Sequence, residues 1–107
     1  MNNYIFQNVS INAVEFINNK NDIKFSFNNT TTSNWEHCGD LTCIDILSLK
    51  MQTYLQDDPD PYFPQFICDV SVDACPNNNN YKSVALQGGS YEFFITCKQA
   101  VVLKVTS

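Results

Sequence analysis

An all-β fold is what this sequence predicts: an antiparallel sandwich or barrel of about seven or eight short strands. Three observations lead there. Apolar and polar residues alternate with a period of two along most of the chain. Turn signals interrupt that alternation at intervals of roughly ten residues, the spacing of small sandwiches and barrels. The 107 residues are 44% hydrophobic and 13% aromatic. That is one domain's worth of chain, spanning residues 1–107, with enough apolar material for one core.

The first hairpin is the plainest element. Val9-Ser10-Ile11 and Val14-Glu15-Phe16 alternate, Asn18-Asn19-Lys20-Asn21 reads as a turn, and Ile23-Lys24-Phe25-Ser26-Phe27 returns as the second arm. Residues 28–34 form a polar loop. Residues 35–38 read as a short strand ended by Gly39-Asp40.

Residues 41–54 admit two readings. As a strand, Ile44 and Ile46 face one way, and Leu47, Leu49 and Met51 take over that face after a bulge near Ile46-Leu47. As a short helix, Leu41, Ile44, Leu47 and Met51 make an apolar stripe. The neighbouring segments all pair as strands, so the strand is the expectation and the helix its alternative.

Residues 56–64 hold Asp57-Asp58-Pro59-Asp60-Pro61 and are expected to be a loop, because proline restricts itself and the residue before it. Phe66, Cys68, Val70 and Val72 alternate with polar or opposite-facing residues. After Pro76 and the asparagines 77–80, residues 81–87 make a strand with Val84 and Leu86 inward. Gly88-Gly89 supplies a hairpin turn. Tyr91, Phe93, Ile95 and Cys97 share one face of the next strand, and residues 100–105 close the chain.

Charge narrows the classes of partner. Eleven acids face six lysines and no arginine, for a net charge of −5. Nucleic-acid binding depends on clustered arginine and lysine, so it is not expected. Glu36, Asp40, Asp45, Asp57, Asp58, Asp60, Asp69 and Asp73 crowd residues 36–73 against Lys50 alone, a net of −7, while the remainder carries +2. Such asymmetry is an argument about partners and association rate. No apolar run approaches the roughly 18 residues of a membrane span. The opening Met1-Asn2-Asn3-Tyr4 lacks the pattern of a signal peptide, so a cytoplasmic location is expected.

Catalysis finds little to work with, and no enzyme is expected. His37 is the single histidine, and its neighbour Cys38 points to the opposite face of a strand. The carboxylates of residues 57–60 sit on a polar loop that does little to raise a pKa. Cys38, Cys43, Cys68, Cys75 and Cys97 are expected as free thiols, with Cys68 and Cys97 inward. Cys38/Cys43 and Cys68/Cys75 lack the two-residue spacing of a zinc knuckle, so neither a metal nor a cofactor is expected.

Three stretches resemble a family. Gly39-Asp40-Leu41-x-Cys43-x-x-Ile46-Leu47-Ser48-Leu49-Lys50-Met51, then Tyr62-Phe63-x-x-Phe66-Ile67-Cys68-Asp69-Val70, then Gly88-Gly89-x-Tyr91 look like small bacterial β-rich proteins, some of which sit beside polymorphic toxins. In size, acidity and the expected absence of a signal peptide the chain is similar to the small acidic β-rich immunity proteins of bacterial contact-dependent growth inhibition and polymorphic toxin systems. The resemblance implies a cytosolic, stoichiometric inhibitor that binds one cognate toxin domain, often a basic nuclease. Physically, carboxylates laid over a cationic phosphate cleft would exclude RNA or DNA, with a few aromatic anchors supplying affinity. The candidate contacts are Asp57, Asp58 and Asp60, then Glu36, Asp40 and Asp45, with Trp35, Tyr54, Tyr62 and Phe63 as anchors. Two other readings are a small β-barrel or sandwich that binds a small molecule or sugar, and a structural subunit.

Overall fold

The computed structural model describes residues 4–19, 21–30, 36–53, 67–76, 78–88 and 91–105. These form six strands and, among the described residues, no helix: β1 (Tyr4–Ile17), β2 (Asp22–Asn29), β3 (His37–Thr53), β4 (Ile67–Cys75), β5 (Asn78–Gly88) and β6 (Tyr91–Lys104). They close into a barrel in the order β1-β2-β3-β6-β5-β4, every neighbouring pair antiparallel. Of the expected sandwich or barrel, the barrel forms.

Six strands replace the expected seven or eight because two pairs of expected strands are continuous. His37 and Cys38 open β3, which runs through Gly39-Asp40 without a turn, and residues 91–97 and 100–104 are one strand, β6. Gly39 is a close-approach residue. It pairs with Phe27 on one side and Lys104 on the other. A Cβ there would lie 2.6 Å from the Leu103 carbonyl oxygen and 2.6 Å from the Phe6 ring. The helical alternative for residues 41–54 is also replaced, since β3 reaches Thr53 as strand.

The bulge expected near Ile46-Leu47 is present, as a register shift between Ile46 and Ser48 against β6. It belongs to a sharp corner. Cys43 and Cys97 are fully buried, and Ile46 and Ala100 pack on the same core, although the two members on each strand are three residues apart. Alternation therefore breaks at the same level on both strands, where Asp45 takes a left-handed φ of 56°. Aspartate tolerates that conformation better than most residues.

Below the corner, residues 37–43 of β3 pair with β2 and residues 39–44 with β6. Above it, residues 46–53 pair with β6, whose residues 92–97 also pair with β5. The β3–β6 ribbon thus passes from one wall of the barrel to the other. β1 does the same on the opposite side: residues 4–10 pair with β4 and residues 9–17 with β2. Asn8, also left-handed with a φ of 54°, marks its irregularity.

The interior is filled by side chains. Phe25, Phe27, Ile23, Leu41, Leu86, Ile95, Val70 and Val84 are among the fully buried residues. Phe6 and Phe27 stand 5.0 Å apart between ring centroids, Phe27 and Phe25 6.2 Å, and Phe25 and Phe93 5.7 Å, so an aromatic chain spans the core from β1 through β2 to β6. Each fully buried ring or large aliphatic contributes roughly 1.5–3 kcal/mol relative to exposure. The expected inward positions Val84, Leu86, Phe93, Ile95, Cys68 and Cys97 are all in this core.

Candidate protein-binding surface

β3 carries three of the expected contact residues on or beside it, and the barrel treats each differently. Glu36 precedes β3 with an exposed side chain, while its carbonyl accepts the Asn29 N–H at 2.8 Å. Asp40 faces outward opposite Ser26 and is engaged within the molecule. His37 Nε2 lies 2.9 Å from Asp40 Oδ1. Burial works to raise the Asp40 pKa, but hydrogen bonds to His37 and Ser26 and the charges of His37 and Lys24 outweigh it and hold the carboxyl below its ordinary range. Asp45 has an exposed side chain at the corner, and its backbone N–H donates to Asp22 Oδ1 at 2.9 Å.

The acids of β4 stand apart from these. Asp69 Oδ1 accepts the left-handed Asn8 N–H at 2.9 Å, and Asp73 is half-buried opposite Ser83. Two strands separate β3 from β4 in either direction around the barrel. The described carboxylates of the acidic stretch therefore fall into two groups on opposite sides. Asp57, Asp58, Asp60, Trp35, Tyr54, Tyr62 and Phe63 lie outside the described residues.

Asp22 is a residue whose role the sequence did not disclose. It is almost completely buried and receives hydrogen bonds from the Asn18 side chain and the Asp45 backbone. The Asn21 carbonyl accepts the Ile46 N–H at 2.9 Å beside it. Asp22 thus ties the β1–β2 turn, where Asn18 and Asn19 are left-handed, to the β3 corner. The i, i+4 pair Asn18/Asp22 across an asparagine turn is the signal that could have marked it.

Three thiols, Cys38, Cys43 and Cys68, are disfavoured as thiolates. Burial, followed by the nearby Asp69 charge, pushes Cys68 up to about 12. A hydrogen bond with Cys97 and then burial raise Cys43 well above its ordinary value. Burial is also the main cause that raises Cys38. All five cysteines are free. Among the described residues, no three His, Cys, Asp or Glu side chains converge as metal ligands. A hollow of about 250 Å³ is lined by Asn8, Ile67, Cys68, Asp69, Gln87 and Gly88, without an aromatic side chain. No helix of the described residues is long and apolar enough to cross a membrane.

Comparison with known proteins adds to the fold. A crystal structure of an uncharacterized protein from Neisseria gonorrhoeae superposes with a TM-score of 0.74 at 24% identity, covering 95% of this chain and 96% of that one. No curated protein matches. Residues 4–106 match a protein-family model whose description reads "-like".

Proposed function

We propose that this chain, which belongs to the family matched over residues 4–106, is a stoichiometric binding protein: an immunity protein that neutralises a cognate cationic toxin domain. The toxin is a nuclease in this reading, and the contact is acidic. The observation that carries the proposal is the charge pattern, a net −5 without arginine in which residues 36–73 hold −7. Electrostatic steering by such a field raises association rates by roughly 10- to 1000-fold and falls steeply with salt.

The β3 side is the better candidate for the contact. Glu36 and Asp45 are exposed there. Asp40 contributes less, because His37 and Ser26 already engage it. A small-molecule or sugar binder calls for an apolar concavity with aromatics. The filled interior and the non-aromatic hollow give that alternative less support.

Co-expression with the neighbouring reading frame tests the proposal, scored by rescue of growth. Purified together, the two proteins are expected to form a one-to-one complex whose association slows as salt rises. Replacing Asp57, Asp58 and Asp60 together by Asn is expected to weaken protection with thermal stability nearly unchanged. Intact protection by that variant removes these three acids from the contact, and an on-rate indifferent to ionic strength removes steering altogether.

A further inference from the structure

Residues 47–53 of β3 form a sheet edge. β6 pairs with them on one side. On the other, β2 has its last register partner at Cys43, the final backbone link is the Ile46 N–H to the Asn21 carbonyl, and among the described residues no strand lies beyond it. The edge is apolar: Leu47, Leu49 and Met51 are 58%, 40% and 51% exposed. By register Leu49 and Met51 share the face of the buried Ile95 and Phe93, so they point toward the core side yet remain uncovered. An exposed apolar edge of this length is a template for another strand.

Charge indicates the occupant. Within the acidic stretch, residues 46–56 are the longest run without a carboxylate, and Lys50 is their one charge. Two copies carrying −5 each can meet there without opposing acids. The segment is also self-complementary. In the antiparallel register centred on Leu49, Leu49 faces itself, Leu47 faces Met51 and Lys50 faces Ser48. The register centred on Lys50 would oppose two ammonium groups, which is unfavourable. The register centred on Ser48 would set Lys50 against Ile46.

We propose that the chain forms a two-fold symmetric dimer in which residues 47–51 of β3 pair antiparallel with the same residues of a second copy, Leu49 on the dyad. The pairing would join the two β6–β3 walls into one continuous sheet and cover the three exposed side chains. An isologous interface of this kind closes at two copies and leaves no further edge of the same type. The inference is independent of the toxin-binding reading.

Sedimentation velocity of the full chain over a concentration series tests it. The expected mass is twice the 12.2 kDa of the chain. Leu49→Lys sets two ammonium groups against each other and is expected to give a monomer with an unchanged far-ultraviolet circular dichroism spectrum. Should that variant fail to fold, cross-linking decides. Under mild oxidation Leu49→Cys is expected to yield a covalent dimer, as is the double variant Leu47→Cys/Met51→Cys, whereas Met51→Cys alone remains uncrosslinked like the wild type. A wild-type chain that stays monomeric at every concentration overturns the proposal, as does a dimer that survives Leu49→Lys. So does a monomer that loses a toxin partner upon Leu49→Lys, which would assign the edge to that partner.

Discussion

The two halves of β3 are built from similar residues and meet different fates. Residues 37–44 lie between β2 and β6, and Leu41 and Cys43 there are fully inaccessible. Among the described residues, residues 47–53 have β6 alone beside them, and Leu49 on the core-side face is 40% exposed. Hydrophobicity alone therefore does not set burial in this barrel. The number of neighbouring strands does, and that number changes at the corner around Asp45.

Two leucine truncations should separate the halves most widely. Leu41→Ala removes a fully buried side chain and is expected to cost about 2–5 kcal/mol. Leu49→Ala, on the same strand and the same face, is expected to cost less than about 1 kcal/mol when measured on the monomer. Urea unfolding at matched concentrations gives both values. Equal losses would mean that the upper half is as tightly packed in solution as the lower. A loss at Leu49 that grows with protein concentration would instead be the signature of the proposed dimer.

Gly39→Ala probes the lower half from the opposite direction, by adding volume. The new Cβ would meet the Leu103 carbonyl oxygen and the Phe6 ring, both at 2.6 Å. A backbone carbonyl cannot swing aside, so an overpacking loss of about 1–3 kcal/mol is expected. Phe6 also lies under the Lys104 ammonium, 5.5 Å from the ring centroid, so a displaced ring should disturb the end of β6 as well. A thermal melt of the variant, together with the intrinsic chemical shifts of residues 102–104, measures both effects. A neutral Gly39→Ala would show that β3 and β1 approach less closely than described.

The corner itself depends on Asp22. Its carboxylate accepts from Asn18 and from the Asp45 N–H. Asp22→Ala leaves those donors without their partner, at an expected cost of about 1–3 kcal/mol. Hydrogen exchange gives the sharper readout. The amides of Asp45 and Ile46 should lose protection first, while those of residues 23–27 in β2 keep theirs. Uniform loss across β2 and β3 would make Asp22 a general rather than a local support.

What the sequence disclosed follows the same division. Alternation marks strands whose neighbours are complete, so Ile23, Phe25, Phe27, Val84, Leu86, Phe93 and Ile95 were recognisable as core from period alone. The Ile46-Leu47 bulge was readable because the apolar positions change parity there. Strand ends were harder. Gly39-Asp40 reads as a turn, and only the Phe6 ring and the Leu103 carbonyl beside it explain a glycine within a strand. The break at Gln99 similarly reads as a strand end, whereas it is the β6 side of the corner. Long-range facts of this kind have no local signature. The same holds for the candidate contact: Glu36 and Asp45 are exposed as expected, but nothing in the acid pattern showed that Asp69 and Asp73 stand across the barrel, or that Asp40 is held by His37 and Ser26.

That difference between Asp40 and its neighbours gives the smallest expected effect, and it is read through pH. The folded-state pKa of Asp40 lies below its ordinary 3.8, because the bonds to His37 and Ser26 overcome the burial that opposes them. A carboxyl with a lowered folded-state pKa adds stability above its ordinary value and loses it as pH falls through the folded-state value. Asp40→Asn removes the charge at every pH. The stability gap between wild type and Asp40→Asn is therefore expected to be present above the ordinary carboxylate value and to close as pH falls below it. Urea midpoints for the two proteins over that range measure the gap. A gap that persists unchanged into strong acid would trace the loss to packing around Ser26 rather than to the ionised carboxylate. A gap that is absent at neutrality would free Asp40 from its internal partners and return it to the surface that Glu36 and Asp45 offer to a cationic protein.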